Sequence, residues 1–110
     1  MRKDPSGSRT EDYIRLRRRI LAVLYGFFQD FPYGSMELRQ VQETCDTTSQ
    51  LLNWNMVYLE KSGFVELDRS PDCHPFVACS VSISAAGIDL IEDLNRFNSR
   101  FPVPDDADSQ

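Results

Sequence analysis

The stretch TTSQLLNWNMVYLEKSGFVELD at residues 47–68 decides the fold. Its first four residues have the spacing of a capping box, in which two side chains satisfy the first free amides of a helix. Gly63 stands where a helix ends on a glycine in the left-handed conformation. We therefore predict a helix that runs to Ser62, followed by a strand at 64–68, where apolar and polar residues alternate. The buried side of this helix is marked by Leu52, Met56 and Leu59.

Downstream of this stretch, the sequence predicts a second strand and a last helix. Residues 77–83 alternate apolar with small or polar side chains, as a strand does. Residues 69–75 contain two prolines and join the two strands as the loop of a β-hairpin. Ser84 is expected to cap the last helix. An apolar stripe on this helix is formed by Ile88, Ile91, Leu94 (or Leu90) and Phe97.

Upstream, the sequence predicts one long helix and one short helix. Residues 8–11 form another capping box, and the helix ends near Asp30 because Pro32 disfavours helical geometry in the residue before it. Ser35 is then expected to cap a short helix. The long helix has the apolar stripe Ile14, Ile20, Leu21, Leu24, Phe27, Phe28 and Phe31, and the short helix turns Met36, Leu38 and Val41 inward.

The predicted order is three helices, a two-stranded hairpin and a C-terminal helix. This is a mainly α fold with a small β-hairpin (α+β), arranged as a winged helix-turn-helix. We expect a flexible basic N-terminus at 1–9, the winged-helix domain at 10–101, and a flexible acidic tail at 102–110.

Two segments resemble bacterial winged-helix regulators of the MarR, ArsR and PadR type, members of the winged helix-turn-helix DNA-binding superfamily. Residues 59–65, LEKSGFV, resemble the end of their recognition helix, and residues 83–88, ISAAGI, resemble the entry into their last helix. With the spacing of the elements, the resemblance covers roughly residues 11–97. The compact size is similar to that of small winged-helix proteins of Mu-like prophages. The resemblance implies a transcriptional regulator of double-stranded DNA.

The third helix is the usual groove reader of this plan, and helical geometry identifies its outward residues. Glutamine and asparagine pair with adenine in the major groove, and threonine or serine reaches base edges or phosphates. The alternative is an ordinary solvated helix face, with Trp54 either on a partner surface or against the core. The candidate residues are Thr47, Thr48, Ser49, Gln50, Asn53 and Trp54, with Val57 and Lys61 further along the same face.

The formal net charge of −5 is distributed unevenly over the 110 residues. Residues 1–19 carry seven bases and three acids, whereas the remainder carries five bases and fourteen acids. Arginines of the first helix either contact phosphates or pair with this acidic body. The acidic body also favours an alternative function, a non-enzymatic protein-interaction module such as a phage or prophage accessory protein. The candidate phosphate contacts are Arg18 and Arg19, beside Arg15 and Arg17, and Arg69 is a candidate for the minor groove.

The residue types needed for catalysis, cofactors or metals do not cluster in the sequence. The one histidine lies in a proline-flanked loop, and the sequence has no glycine-rich phosphate loop. Cys73, His74 and Cys79 match no zinc spacing, so we expect Cys79 to be a small buried strand residue. Three cysteines, an odd number, favour a reduced, cytoplasmic setting. No apolar run approaches the roughly 18 residues that cross a membrane.

The apolar surface of the first and last helices exceeds what a three-helix core with a small wing can bury. We therefore predict a homodimer, since a two-fold dimer is the commonest way to cover such a surface. The predicted interface residues are Ile88, Ile91, Leu94 and Phe97, supplemented by Leu90, Phe101, Tyr13, Leu16, Val23 and Phe27.

Overall fold

The computed structural model describes residues 5–69 and 72–103, with side chains from Glu11 onward. The fold is mainly helical with a small antiparallel sheet of three strands, an α+β class. None of the helices in these ranges is long and apolar enough to cross a membrane. The helices are α1 (Pro5–Asp30), α2 (Leu38–Cys45), α3 (Ser49–Lys61), α4 (Ala85–Glu92) and α5 (Leu94–Arg100), and the strands are β1 (Met36–Glu37), β2 (Val65–Asp68) and β3 (Ser80–Ile83).

The long helix α1 packs against the other layers of the fold. It ends at Asp30, as predicted, but it begins at Pro5 rather than at the capping box. Proline is well suited to the first turn of a helix, where no amide donor is needed. The N-terminal segment predicted as flexible is therefore helical from Pro5 on, and residues 1–4 lie outside the described ranges. The core residues of α1 are Ile20, Leu21 and Leu24.

The prediction that Ser35 caps the short helix is wrong. Met36 and Glu37 form strand β1, which pairs with Val81 and Ser80 of β3. The first residue of α2, Leu38, donates its amide to the carbonyl of Cys79 at 3.0 Å. Pairing with the edge of the sheet therefore prevails over the local capping signal. This strand places β3 at the centre of the sheet, in the order β1-β3-β2.

Helix α3 has the ends that its sequence predicts, with one shift. Thr48, one residue after the predicted start of the capping box, is the cap, and its hydroxyl accepts from the amide of Leu51 at 3.1 Å. At the other end Gly63 has φ +86°, a conformation that glycine adopts without steric cost. Phe64 donates its amide to the carbonyl of Leu59, and Gly63 to that of Glu60, both at 2.9 Å. This is the Schellman pattern, which turns the chain into β2.

The predicted hairpin is present, although its strands are shorter than the alternating segments. β2 pairs with β3 in the register Val65↔Ile83 to Asp68↔Ser80. The second strand begins at Ser80 instead of residue 77, because the backbone before it folds toward α3. One face of the hairpin joins the core through Val65, Val81 and Ile83.

The predicted single C-terminal helix is two helices separated by Asp93. This residue has an extended backbone (φ −103°, ψ 92°), and its carboxylate accepts from the amide of Arg96 at 3.2 Å. Aspartate is among the preferred helix-capping residues, so a new helix starts here. The break removes the predicted apolar stripe, because Ile91 and Phe97 turn into the core of the same chain. Pro102 and Val103 follow α5 without regular structure, and the rest of the predicted tail lies outside the described ranges.

Candidate nucleic-acid interface

Helices α2 and α3 are joined by only three residues, 46–48. Asp46 ends α2 in the left-handed conformation (φ 55°, ψ 56°) and donates its amide to the carbonyl of Glu43. Aspartate tolerates this conformation better than most residues because its short side chain bonds locally. The length of this connection matches the turn of three or four residues in a helix-turn-helix unit. The turn fixes which side of α3 faces away from the core.

The side of α3 opposite its core residues is exposed. We define the outward face by Gln50, Trp54 and Lys61, all exposed, with Val57 half-buried between them. Trp54 is 59% exposed, and its ring meets that of Tyr13 edge-on at 6.2 Å between centroids. Of the two alternatives for Trp54, the structure therefore shows the exposed one, with the side chain outside the core. At the start of the helix, Thr48 is occupied as the cap, while Thr47 and Ser49 are half-buried.

Asn53, at the edge of this face, holds the loop of the hairpin. We use hairpin loop for residues 72–79. The Asn53 amide nitrogen donates to the carbonyl of Pro75 at 2.8 Å, and its oxygen accepts from the amide of Val77 at 2.9 Å. These are the same groups that a bidentate contact to adenine uses. In this conformation Asn53 therefore attaches the hairpin loop to α3. Gln50 is then the base-reading candidate whose side chain makes no hydrogen bond within the described residues.

Arg69, at the start of the hairpin connection, forms an ion pair with Glu60 of α3. The two side chains are 53% and 27% exposed, so the pair lies at the surface. It is a second attachment of the hairpin to α3, after Asn53. A guanidinium has five donors, and one contact leaves others to meet solvent or a phosphate.

The two phosphate candidates on α1 both contact backbone carbonyls of the chain. Arg18 donates to the carbonyl of Phe101 at 2.8 Å, with its guanidinium 4.3 Å from the ring centre of Phe97. Burial there lowers the pKa of Arg18. Arg19 donates to the carbonyl of Thr44 at 3.1 Å, and its side chain stays exposed. Arg18 therefore fastens α1 to α5, and Arg19 is the better placed of the two for a phosphate.

A polar cluster between α1, α3 and α5 has no signal in the sequence patterns. Arg17 donates to the amide oxygen of Asn55 at 2.7 Å, and its guanidinium lies 3.7 Å from the ring centre of Tyr58. Arg100 donates to the Tyr58 hydroxyl at 2.8 Å, which lowers the pKa of Tyr58. Burial in turn lowers the pKa of Arg17. Arg17 and Asn55 are 38 residues apart, and Arg100 and Tyr58 are 42 residues apart, so no local sequence pattern predicts these contacts.

The expectation of reduced cysteines is wrong for two of the three. Cys73 and Cys79 form a disulfide across the hairpin loop, with 5.2 Å between their Cα atoms. The loop folds back on itself and so brings two residues of close sequence into the range that a disulfide spans. Cys79 is half-buried and precedes β3, instead of being a buried strand residue. Cys45 is a buried free thiol whose pKa is raised by desolvation.

Within the described ranges, histidine, cysteine and carboxylate side chains form no group of three or more that could hold a metal ion.

Comparison of the chain with protein-family models, with curated protein sequences and with solved structures finds no match. The resemblance to winged-helix regulators therefore stays a prediction. Each of the two segments that carry the resemblance contains a glycine with a structural role. Gly63 ends α3, and Gly87 lies against the backbone of Phe64.

Proposed function

We propose that this chain is a winged helix-turn-helix DNA-binding protein, a transcriptional regulator that reads the major groove with α3. The observation that carries the proposal is the three-residue turn from α2 to α3, with an exposed face on the second helix. In helix-turn-helix proteins, residues near the start of that helix contact base edges. Gln50 is the second residue of α3, and its amide suits adenine.

The hairpin is well placed to act as the wing. Asn53 and the Arg69–Glu60 pair attach it directly to α3, so the hairpin loop and the outward face keep a fixed relation. A basic side chain beside a recognition helix can enter the neighbouring minor groove, where negative potential is concentrated. Arg69 is more than half exposed and retains donors for that contact.

The distribution of charge favours an approach to DNA from one end of the molecule. The contact between Tyr13 and Trp54 brings α1 beside the outward face of α3. The first 19 residues of the chain carry seven of its twelve bases. Basic side chains attract the phosphate backbone whatever its sequence. In our proposal the bases of this segment that are not held inside the chain, Arg19 among them, supply the general affinity, while Gln50 supplies sequence preference.

A second candidate function is a non-enzymatic protein-interaction module. It is favoured by the composition of the outward face, which has a tryptophan at its centre and one base, Lys61. Aromatic residues are enriched at protein interfaces, and tryptophan is prominent among their energetic hot spots. The contacts of Arg17 and Arg18 inside the chain also favour this function, because guanidinium groups held there are less available to phosphates.

Fluorescence anisotropy of labelled duplexes from mixed genomic fragments, at two salt concentrations, separates the two candidates. DNA binding predicts a dissociation constant below about 10⁻⁵ M that weakens steeply with salt. Gln50→Ala is expected to weaken a selected site by about 1–3 kcal/mol and to change random DNA little. The control is Gln29→Ala. Gln29 is an exposed glutamine near the end of α1, 16 positions after Tyr13, the α1 residue that contacts Trp54. Salt-independent or undetectable binding would favour the protein-interaction module.

We further propose a homodimer in the cytoplasm, since a two-fold axis presents two α3 helices to successive major grooves. Of the four predicted interface residues, Ile91 and Phe97 are buried within the chain, whereas Ile88 is half-buried and Leu94 is 64% exposed. Leu94 is therefore the residue on which a dimer contact at the last helices depends.

A further inference from the structure

The two bonded cysteines lie at a junction of the fold. Cys79 donates its amide to the carbonyl of Asp68 at 3.1 Å and accepts from the amide of Leu38 at 3.0 Å. It is thus fixed to the end of β2 and to the start of α2. Cys73 lies in the hairpin loop, six positions earlier, and is joined to this junction by the disulfide.

The residues between the two cysteines are those that contact α3. Pro75 and Val77 bond to the two ends of the Asn53 amide. Phe76 donates its amide to the carbonyl of Cys73 at 2.8 Å, which tightens the turn inside the ring. The disulfide therefore closes a ring whose middle is attached to the recognition helix and whose end is attached to α2. Opening it gives the hairpin loop conformational freedom that the ring excludes.

We propose that Cys73 and Cys79 form a reversible redox site that controls the order of the hairpin loop and, through it, the affinity for DNA. The effect on DNA affinity rests on the proposed function. A small dithiol supplies the two electrons and two protons: the sulfur–sulfur bond breaks, two cysteine thiols form, and the dithiol becomes a disulfide. Both cysteines are half-buried rather than enclosed, so such a reagent reaches them. In the cytosol, disulfides that do form are usually transient ones with redox roles.

The two states differ in how much of the interface is ordered before DNA arrives. With the disulfide closed, the hairpin loop is held on Asn53 beside the outward face of α3. With the thiols reduced, DNA binding has to order the loop, and that ordering lowers the affinity. The disulfide form is therefore the tighter binder.

Amide hydrogen exchange by NMR tests the redox site without DNA. On addition of dithiothreitol, the Val77 amide is expected to lose protection and the Asn53 side-chain amide signals to shift, while the amides of α1 keep theirs. Alkylation and mass spectrometry then count two newly reactive thiols, because Cys45 is buried in the core. Unchanged exchange at Val77 after complete reduction would overturn the inference.

Anisotropy titrations of the oxidised and reduced protein test the effect on DNA. Reduction is expected to weaken binding by about fivefold to tenfold. The Cys73→Ser/Cys79→Ser double variant should bind at the weaker level and ignore dithiothreitol, whereas Cys45→Ala should keep the response. Equal affinities of the two states would contradict the control of DNA binding. Absence of DNA binding in both states counts against the proposed function, and the exchange measurement then decides the redox site alone.

Discussion

The guanidinium of Arg17 on α1 donates a hydrogen bond of 2.7 Å to the side-chain oxygen of Asn55 on α3. Asn55 is 1% exposed and is the buried polar side chain of the described core. Its amide nitrogen donates in turn to the carbonyl of Leu51 at 2.8 Å. A buried amide with both ends bonded specifies one arrangement of its neighbours. This pair therefore sets the rotation of α3, and with it the direction of the outward face.

Asn55→Ala should lower the free energy of unfolding by about 1–3 kcal/mol, because it leaves the partly buried Arg17 donor without its acceptor. Urea denaturation followed by circular dichroism measures the change. The control is Asn98→Ala on α5, an exposed site where we expect a change within about 0.5 kcal/mol. Equal effects of the two substitutions would show that the Arg17–Asn55 bond contributes nothing to stability.

Gly87→Ala should be strongly destabilising. A Cβ atom at this position would lie 2.4 Å from the backbone carbonyl oxygen of Phe64 and 2.7 Å from the side chain of Ile83, so α4 would have to move off the sheet. Gly26→Ala, inside α1, meets nothing within 4 Å and should instead stabilise the protein by about 0.5–1 kcal/mol. Thermal denaturation of both variants tests the packing of α4, and a neutral Gly87→Ala would contradict it.

The ionisation of Tyr58 should be separated from that of Tyr25. The hydrogen bond from Arg100 holds the pKa of Tyr58 below its usual value near 10, whereas the bond from Tyr25 to Glu92 raises the pKa of Tyr25. Ultraviolet titration of tyrosinate should therefore show Tyr58 ionising before Tyr25. Single Tyr→Phe variants assign the two steps, and the reverse order would contradict the structure.

The lowered pKa of Tyr58 also determines how the free energy of unfolding changes with pH. Between the lowered pKa of folded Tyr58 and the ordinary value near 10, the unfolded chain binds more protons than the folded one. The contribution of Tyr58 to the free energy of unfolding therefore rises as the pH increases through that window. Tyr58→Phe should lose this rise relative to the unmodified protein in urea titrations at several pH values. A difference that is constant with pH would contradict the Arg100–Tyr58 contact.

The proposed homodimer is tested by light scattering at micromolar concentration. We expect a mass of twice the 12.7 kDa chain, and Leu94→Asp should return it to the monomer, because a charge at an apolar contact is disfavoured. Leu94 is 64% exposed in the single chain, so the substitution should leave the fold intact. A mass of 12.7 kDa for the unmodified protein would contradict the dimer.

Local signals in the sequence predicted much of the fold. The end of α3 at Gly63, the cap of α4 at Ser84, and the hairpin follow from residues next to one another, so the sequence alone predicts them. The start of α3 was predicted one residue too early, since Thr48 is its cap. The elements missed depend on distant partners or on competing local signals. Strand β1 exists because β3 offers it an edge, and the break at Asp93 is a capping signal that lies within an apolar periodicity.

The candidate site was less predictable than the fold. The exposure of Gln50, Trp54 and Lys61 follows from helical geometry, whereas Thr47 and Val57 of the predicted outer face are half-buried. The occupation of Asn53 by the hairpin loop was not predicted, because Pro75 and Val77 lie 22 and 24 residues further along the chain. The disulfide was missed for a different reason: the number of cysteines says nothing about which loop brings two of them together.

The central claim, that the outward face of α3 meets DNA, is tested most directly by the fluorescence of Trp54, the one tryptophan in the sequence. Trp54 is 59% exposed, so a duplex bound to α3 should change its emission. We predict a change that saturates with the anisotropy of the labelled duplex and is reversed by salt. Anisotropy that rises while the emission of Trp54 stays constant would place the DNA elsewhere and contradict the account.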